Sequence, residues 1–233
     1  MNARDRLIVA LDVPKADAAR ELVARLAGHV GMFKVGSQLF TAAGPDLVHE
    51  IAAGGQKVFL DLKFHDIPNT VAGAVSSASR LGVSLISVHG LGGRAMMEAA
   101  VGALPAMGTR LLAITILTSH DDLSLAQIGV GGTMSESVRR LAELAKDTGL
   151  DGVVASPHEI GLIRGACGSD FLIVTPGIRP AGSVAADQAR AATPAAALAD
   201  GADYLVVGRP ITEAASPVTA ADAIVNEMER ARP

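Results

Sequence analysis

Phe59-Leu-Asp-Leu-Lys-Phe-His-Asp-Ile-Pro-Asn-Thr70 is the stretch whose reading decides the architecture. With Val58 before it, the first half reads as a β-strand, Val58–Leu62, whose side chains alternate between two sides. Leu60 and Leu62 point one way; Asp61 and Lys63 point the other. A strand with an apolar outer face toward helices and a charged inner face at its C-terminal end suits the rim of a parallel barrel. The residues after it, Thr70–Leu81, are rich in Ala and Val and predict a helix.

The same unit recurs in both directions. Short β-branched runs predict strands at Leu7–Leu11, Met32–Val35, Leu85–Val88, Leu111–Ile116, Gly152–Ala155, Leu172–Val174 and Tyr204–Val207. Helix-favouring stretches follow them at Ala16–Ala27, Pro45–Ala53, Ala95–Ala103, Ser135–Thr148, His158–Arg164, Pro194–Ala199 and Thr219–Arg230. Gly28, Gly54, Gly82, Gly149 and Gly201 each fall at a helix end before the next strand. Eight strand–helix pairs without a ninth predict a wholly parallel sheet closed into an α/β, single-domain (β/α)8 barrel spanning residues 1–233. No linker or composition break divides it.

Composition narrows the function classes. Net charge is −4, from 20 Lys and Arg against 24 Asp and Glu, spread along the chain without a basic stripe. With 3% aromatic residues there is neither an electrostatic footprint nor a stacking platform for nucleic acid. No apolar run approaches the ~20 residues of a membrane span, and the short apolar stretch Leu7–Leu11 ends at Asp12, unlike a signal peptide. One cysteine, Cys167, excludes an intramolecular disulfide and a multi-cysteine metal site, and points to a reducing cytoplasm.

In such a barrel the chemistry sits where the strands end. Asp12 closes strand one, Lys34 lies in strand two, and Asp61, Lys63 and Asp66 mark strand three. A buried ion pair that merely holds the barrel mouth is the competing reading. Such pairs stabilise weakly because desolvation offsets their attraction, and a third charge counts further against it. Taken alone, Asp12 and Lys34 read as rim salt-bridge residues; their shared position raises the functional reading.

A second constellation lies at Thr175-Pro-Gly-Ile-Arg-Pro180, Gln188 and Val207-Gly-Arg-Pro210. Loops after strands seven and eight are the usual phosphate site of these barrels. Arg179 and Arg209 present planar multi-donor forks, and Gly208 lets a backbone N–H approach an oxyanion. The small, polar run Ala181–Gln188 suits a lid that closes over a bound phosphate. The six histidines show no metal-ligand spacing; His89 reads as a hydrogen-bonded structural residue, and His65 as one that orients the charged motif. Gly90-Leu-Gly-Gly93 is a weak phosphate-loop signal. Cys167 reads as inert, and Gly129-Val-Gly-Gly132 as a loop before a helix.

Phe59–Thr70 resembles the signature of orotidine 5'-phosphate decarboxylases. Leu11-Asp-Val-Pro14, Phe33-Lys-Val-Gly36, Leu117-Thr-Ser119, Thr175–Pro180 and Val207–Pro210 are similar to that family's other segments, in the same order. The resemblance implies a barrel that works as a homodimer with shared active sites, without metal or organic cofactor. It implies Lys63 as proton donor flanked by Asp61, with Asp66 reaching in from the partner subunit. Asp12, Lys34 and Thr118 would contact the nucleotide, Ile67 and Thr70 would come across the dimer, and Arg179, Gln188, Gly208 and Arg209 would hold the phosphate. Thr118 and Ser119 are the candidates for reading the uracil edge.

Losing carbon dioxide from C6 of the orotate ring leaves an anion with no adjacent electron sink, so fixed electrostatics must stabilise it. A lysine ammonium, charged at neutral pH, attracts that anion and then protonates it. Three rivals share the scaffold, of which an isomerase would usually need a base, where Lys63 reads as an acid. Magnesium-dependent sugar-phosphate lyases carry an Asp-x-Lys-x-x-Asp motif but place a glutamate in strand two, where this chain has Lys34, a cation beside a would-be metal site. A silent phosphate-binding barrel would need no lysine between carboxylates.

Overall fold

A computed structural model of the chain describes residues 1–105, 108–180 and 192–230. Eight parallel strands close in sequence order: β1 (Leu7–Ala10), β2 (Met32–Gly36), β3 (Val58–Phe64), β4 (Leu85–His89), β5 (Arg110–Ile114), β6 (Gly152–Val154), β7 (Leu172–Thr175) and β8 (Tyr204–Val207). β8 returns to pair with β1, through Ile8 with Val206 and Val9 with Val207, so the sheet has no free edge. The helices are α1 (Ala16–Leu26), α2 (Ser37–Ala53), α3 (Pro68–Ser79), α4 (Gly93–Gly102), α5 (Asp122–Gln127), α6 (Met134–Asp147), α7 (Ile160–Cys167), α8 (Pro194–Ala199), α9 (Arg209–Thr212) and α10 (Pro217–Arg230).

Alternation along the strands builds two cores. Ile8, Met32, Phe59, Leu85, Leu112, Val174 and Val206 point inward and fill the barrel, while Leu7, Val9, Phe33, Leu60 and Ile86 pack outward under the helices. Phe59 is the largest fully buried side chain of the inner set; removing such a ring from water contributes about 1.5–3 kcal/mol. Above this plug, Phe59 and Val206 form part of the lining of a cavity at the C-terminal mouth. That is where the charged positions of β1–β3 emerge.

Several boundaries differ from the sequence reading, each for a local reason. α2 begins at Ser37 rather than Pro45, because Gly44 (φ 72) kinks the helix and Pro45 starts its second segment. At that helix's end Gly55 (φ 82), not Gly54 (φ −72), takes the left-handed conformation. α5 was not foreseen; Asp121 caps its N-terminus through Ser124 in a capping box. α6 starts where the glycine loop predicts, with Thr133 and Glu136 forming a second capping box. The stretch from His158 begins as a 3-10 turn, Pro157–Glu159, before α7. After β8 the chain turns at once into α9, a single-turn helix absent from the predicted helices.

Candidate active site

Adjacent strands place four charges in a row. Lys34 Nζ lies 3.0 Å from Asp12 Oδ1 and 3.8 Å from Asp61 Oδ2, and Lys63 Nζ lies 2.7 Å from the same Asp61 oxygen. Signs alternate across β1, β2 and β3, so each ammonium is held between carboxylates or beside one. Asp61 is only 7% exposed; the Lys34 side chain is 12% exposed and that of Lys63 is 35% exposed. Lys63 is therefore the ammonium presented outward, and Asp61 and Lys34 are its support. Gly36 makes room for this row, since a Cβ there would lie 3.1 Å from the Lys34 ammonium.

Strand three reaches this geometry through an irregularity that simple alternation does not predict. Leu60 pairs with Ile86 but Phe64 pairs with Val88, so β3 carries two extra residues against β4. Within that bulge Lys63 adopts φ 54, alone among the described non-glycine residues in having positive φ. The conformation costs roughly 1–2 kcal/mol for a residue with a Cβ. Residues held in such sparsely populated conformations cluster at active sites and ligand clamps.

These residues line a cavity of about 370 Å³ at the barrel mouth, within the usual range for small-molecule sites. Asp12, Lys34, Asp61 and Lys63 make one wall, and Ile114, Ile116 and Val154 an apolar one. Arg179, Gly208 and Arg209 lie on the side of β7 and β8. Gly208 precedes α9, and a Cβ there would face Ala10 at 3.6 Å and Asp12 at 3.9 Å, narrowing the mouth. Arg179 is tied to Ala192 through its backbone N–H. Thr118 lines the cavity, whereas Ser119 is exposed outside it. Gln188 and the lid run Ala181–Gln188 lie outside the described residues.

Three expected residues are not brought into this cavity by their own chain. Asp66 and Ile67 are exposed on the segment leading into α3, Thr70 is exposed in the first turn of α3, and Asp66 Oδ1 accepts the local Ile67 N–H. Ile67 is 67% exposed. His89, read from the sequence as a hydrogen-bonded structural residue, stacks on His65, with centroids 5.3 Å apart, and its Nδ1 accepts the Leu91 N–H. Burial above all, then the nearby charges of His65, Lys63 and His120, hold its pKa down at about 4. Cys167 is buried, and burial pushes its thiol up, consistent with an inert residue. Two features escaped sequence reading: the apolar wall, and Ser87 beneath the charged row. The signal for Ser87 was present, a polar residue between Leu85 and His89 at the spacing of one strand face.

Among the described residues no group of three or more His, Cys, Asp or Glu side chains is arranged to hold a metal ion, and no helix is long and apolar enough to cross a membrane. A parallel (β/α)8 barrel with a lysine–carboxylate row facing two arginines across an apolar-sided cavity is an enzyme scaffold for a small anionic substrate. The sequence matches the orotidine 5'-phosphate decarboxylase / HUMPS family over residues 5–224, and the chain belongs to that family. It is 54% identical to orotidine 5'-phosphate decarboxylase of Moorella thermoacetica, covering 98% of this chain and 94% of the relative. Identity to the enzyme of Syntrophotalea carbinolica is 56%, over 99% and 98% of the two chains. The crystal structure of orotidine 5'-phosphate decarboxylase from Lactobacillus acidophilus superimposes with a TM-score of 0.84 at 40% identity, over 95% of this chain and 98% of that one.

Proposed function

We propose that this chain decarboxylates orotidine 5'-phosphate to uridine 5'-phosphate, the step of pyrimidine biosynthesis that yields the uridine nucleotide, with Lys63 as the proton donor. One observation carries the assignment: the Lys63 ammonium, 2.7 Å from Asp61, projects into a cavity that Arg179 and Arg209 also line. That separation of duties suits a substrate with a reacting ring at one end and a phosphate at the other.

The bond from C6 to the carboxylate carbon breaks, its electron pair stays on C6, and carbon dioxide leaves. The Lys63 ammonium stabilises that developing pair and transfers a proton to it; solvent then restores the ammonium. Fixed charges supply the stabilisation because they need no reorganisation as charge develops. Asp61 aims the ammonium, and Lys34, 3.8 Å from Asp61, adds a second cation beside that buried anion. The apolar wall of Ile114, Ile116 and Val154 favours an uncharged product over a charged carboxylate. Asp12, Lys34 and Thr118 contact the nucleoside, and Gly208, Arg179, Arg209 and Gln188 hold the phosphate, whose binding energy orders the reacting end.

Asp66, Ile67 and Thr70 enter a neighbouring subunit's site in this reading, which makes the enzyme a homodimer with shared active sites. Support comes from the exposure of all three and from the large apolar surface of Ile67 at the rim. The whole chain, 1–233, is one catalytic domain, and its phosphorylated substrate and single buried cysteine fit the cytoplasm. Neither a metal nor an organic cofactor takes part. Lys34 supports this over the magnesium-dependent lyases, because its ammonium lies between Asp12 and Asp61, where a divalent ion would need those carboxylates.

The test is loss of orotidine 5'-phosphate absorbance after exhaustive treatment with chelator. Full activity is expected. Activity that disappears with chelator and returns with magnesium overturns the reading in favour of a metal-dependent lyase, and no turnover at all favours a silent phosphate-binding barrel.

A further inference from the structure

Ser87 sits in β4 on the inward row with Leu85 and His89, and it is 0% exposed. It does not line the cavity. Its hydroxyl makes two contacts at once: Oγ accepts the backbone N–H of Lys63 at 2.9 Å and donates to Asp61 Oδ1 at 2.8 Å. The other Asp61 oxygen, Oδ2, faces Lys63 Nζ. One hydroxyl thus ties the main chain of Lys63 to the carboxylate that aims its side chain.

The bulge explains why such a tie is needed. Between Leu60 and Phe64 the β3–β4 register is broken, so the Lys63 N–H lacks the regular carbonyl partner a continuous ladder would give. A buried donor requires an acceptor, and a left-handed lysine requires something to hold it there. Ser87 meets both requirements and turns Asp61 so that Oδ2 is presented to the ammonium. We propose that Ser87 is a positioning residue for the decarboxylation, setting the height and direction of the Lys63 ammonium through the β3 bulge and Asp61.

The inference rests on the assignment of Lys63 as proton donor, and its test separates the two. Ser87→Ala is compared with the parent for kcat and KM on orotidine 5'-phosphate, for binding of uridine 5'-phosphate, and for enzyme-catalysed exchange of the product's C6 hydrogen in D2O. That exchange reads proton transfer at C6 without decarboxylation. Misplacement of a reacting group costs on the order of 10–100-fold, so kcat and the exchange rate at saturation should fall together by that factor while KM and product affinity move by less than about threefold. Ser87→Thr and Ser87→Val have the same shape and differ in the hydroxyl, so they read it even where Ser87→Ala folds poorly. The Thr variant should exceed the Val variant at least about tenfold in kcat. Equal kcat for Thr and Val, or an unchanged exchange rate in Ser87→Ala, overturns the inference. Absence of both turnover and exchange in the parent overturns instead the assignment on which it rests.

Discussion

The two ends of the barrel both carry partly buried charge, yet they use it in opposite ways. At the N-terminal end Arg164 donates to the carbonyls of Gly168, Ser169, Phe171 and Gly201 and to Asp203 Oδ2. Asp203 in turn accepts the Ile173 N–H, and Arg6 closes over the carbonyls of Ala202 and Asp203. The guanidinium's donors are directed at protein acceptors. At the C-terminal end, Lys63 Nζ has Asp61 as its close partner, 2.7 Å away, and lies on the wall of an open cavity. The saturated charge locks loops beneath the sheet; the unsaturated one keeps capacity for a ligand. Partner count, more than burial, separates a charge spent on the fold from one left with capacity for a ligand.

Mutation at each end sharpens the contrast. Asp61→Ala removes the anion shared by Lys63 and Lys34, and kcat should fall on the order of 10²–10³-fold, as for loss of a preorganised electrostatic group; steady-state rates at saturating substrate check this. At the opposite end, Arg164→Ala should lower unfolding free energy by about 1–3 kcal/mol, because the charge-assisted hydrogen bonds to Asp203 and the loop carbonyls are lost at a partly exposed site, while kcat of the folded enzyme is unchanged. Urea unfolding and a rate measurement on the same sample would break the comparison if Arg164→Ala instead lost turnover and kept its stability.

The smallest effect concerns His89, beside the reactive end but outside its cavity. Its folded pKa of about 4 lies below the ordinary value of 6.5, so the unfolded chain takes up the proton first as pH falls. Stability contributed by the neutral imidazole is complete above about 6.5 and is lost between there and about 4. His89→Gln should remove that segment from the pH dependence of the urea midpoint and leave the rest of the profile in place. Superimposable profiles of the two proteins would show that His89 is not held neutral.

Much of this was legible in the sequence. Alternation in Phe59–Lys63 placed Asp61 and Lys63 on one face, and Asp12, Lys34, Arg179, Gly208 and Arg209 fell at strand ends where the barrel rim was expected. Features created by pairing between distant segments were not legible. A lysine at positive φ has no composition signal, unlike the glycines, and the β3 bulge exists only against β4. Arg164 and Asp203 are 39 residues apart and meet only when the barrel closes. The first half of α2 was hidden because Gly44-Pro45 reads locally as a helix start, and α5 and α9 are too short to show a period.

Replacement of Lys63 by alanine tests the central claim most directly, with decarboxylation of orotidine 5'-phosphate and binding of uridine 5'-phosphate measured on the same preparation. Turnover should fall by on the order of 10⁴-fold or more, the upper end for loss of a proton-transferring group, while the product nucleotide still binds. Retention of more than a tenth of the parental kcat would contradict the account, since another group would then have to deliver the proton to C6.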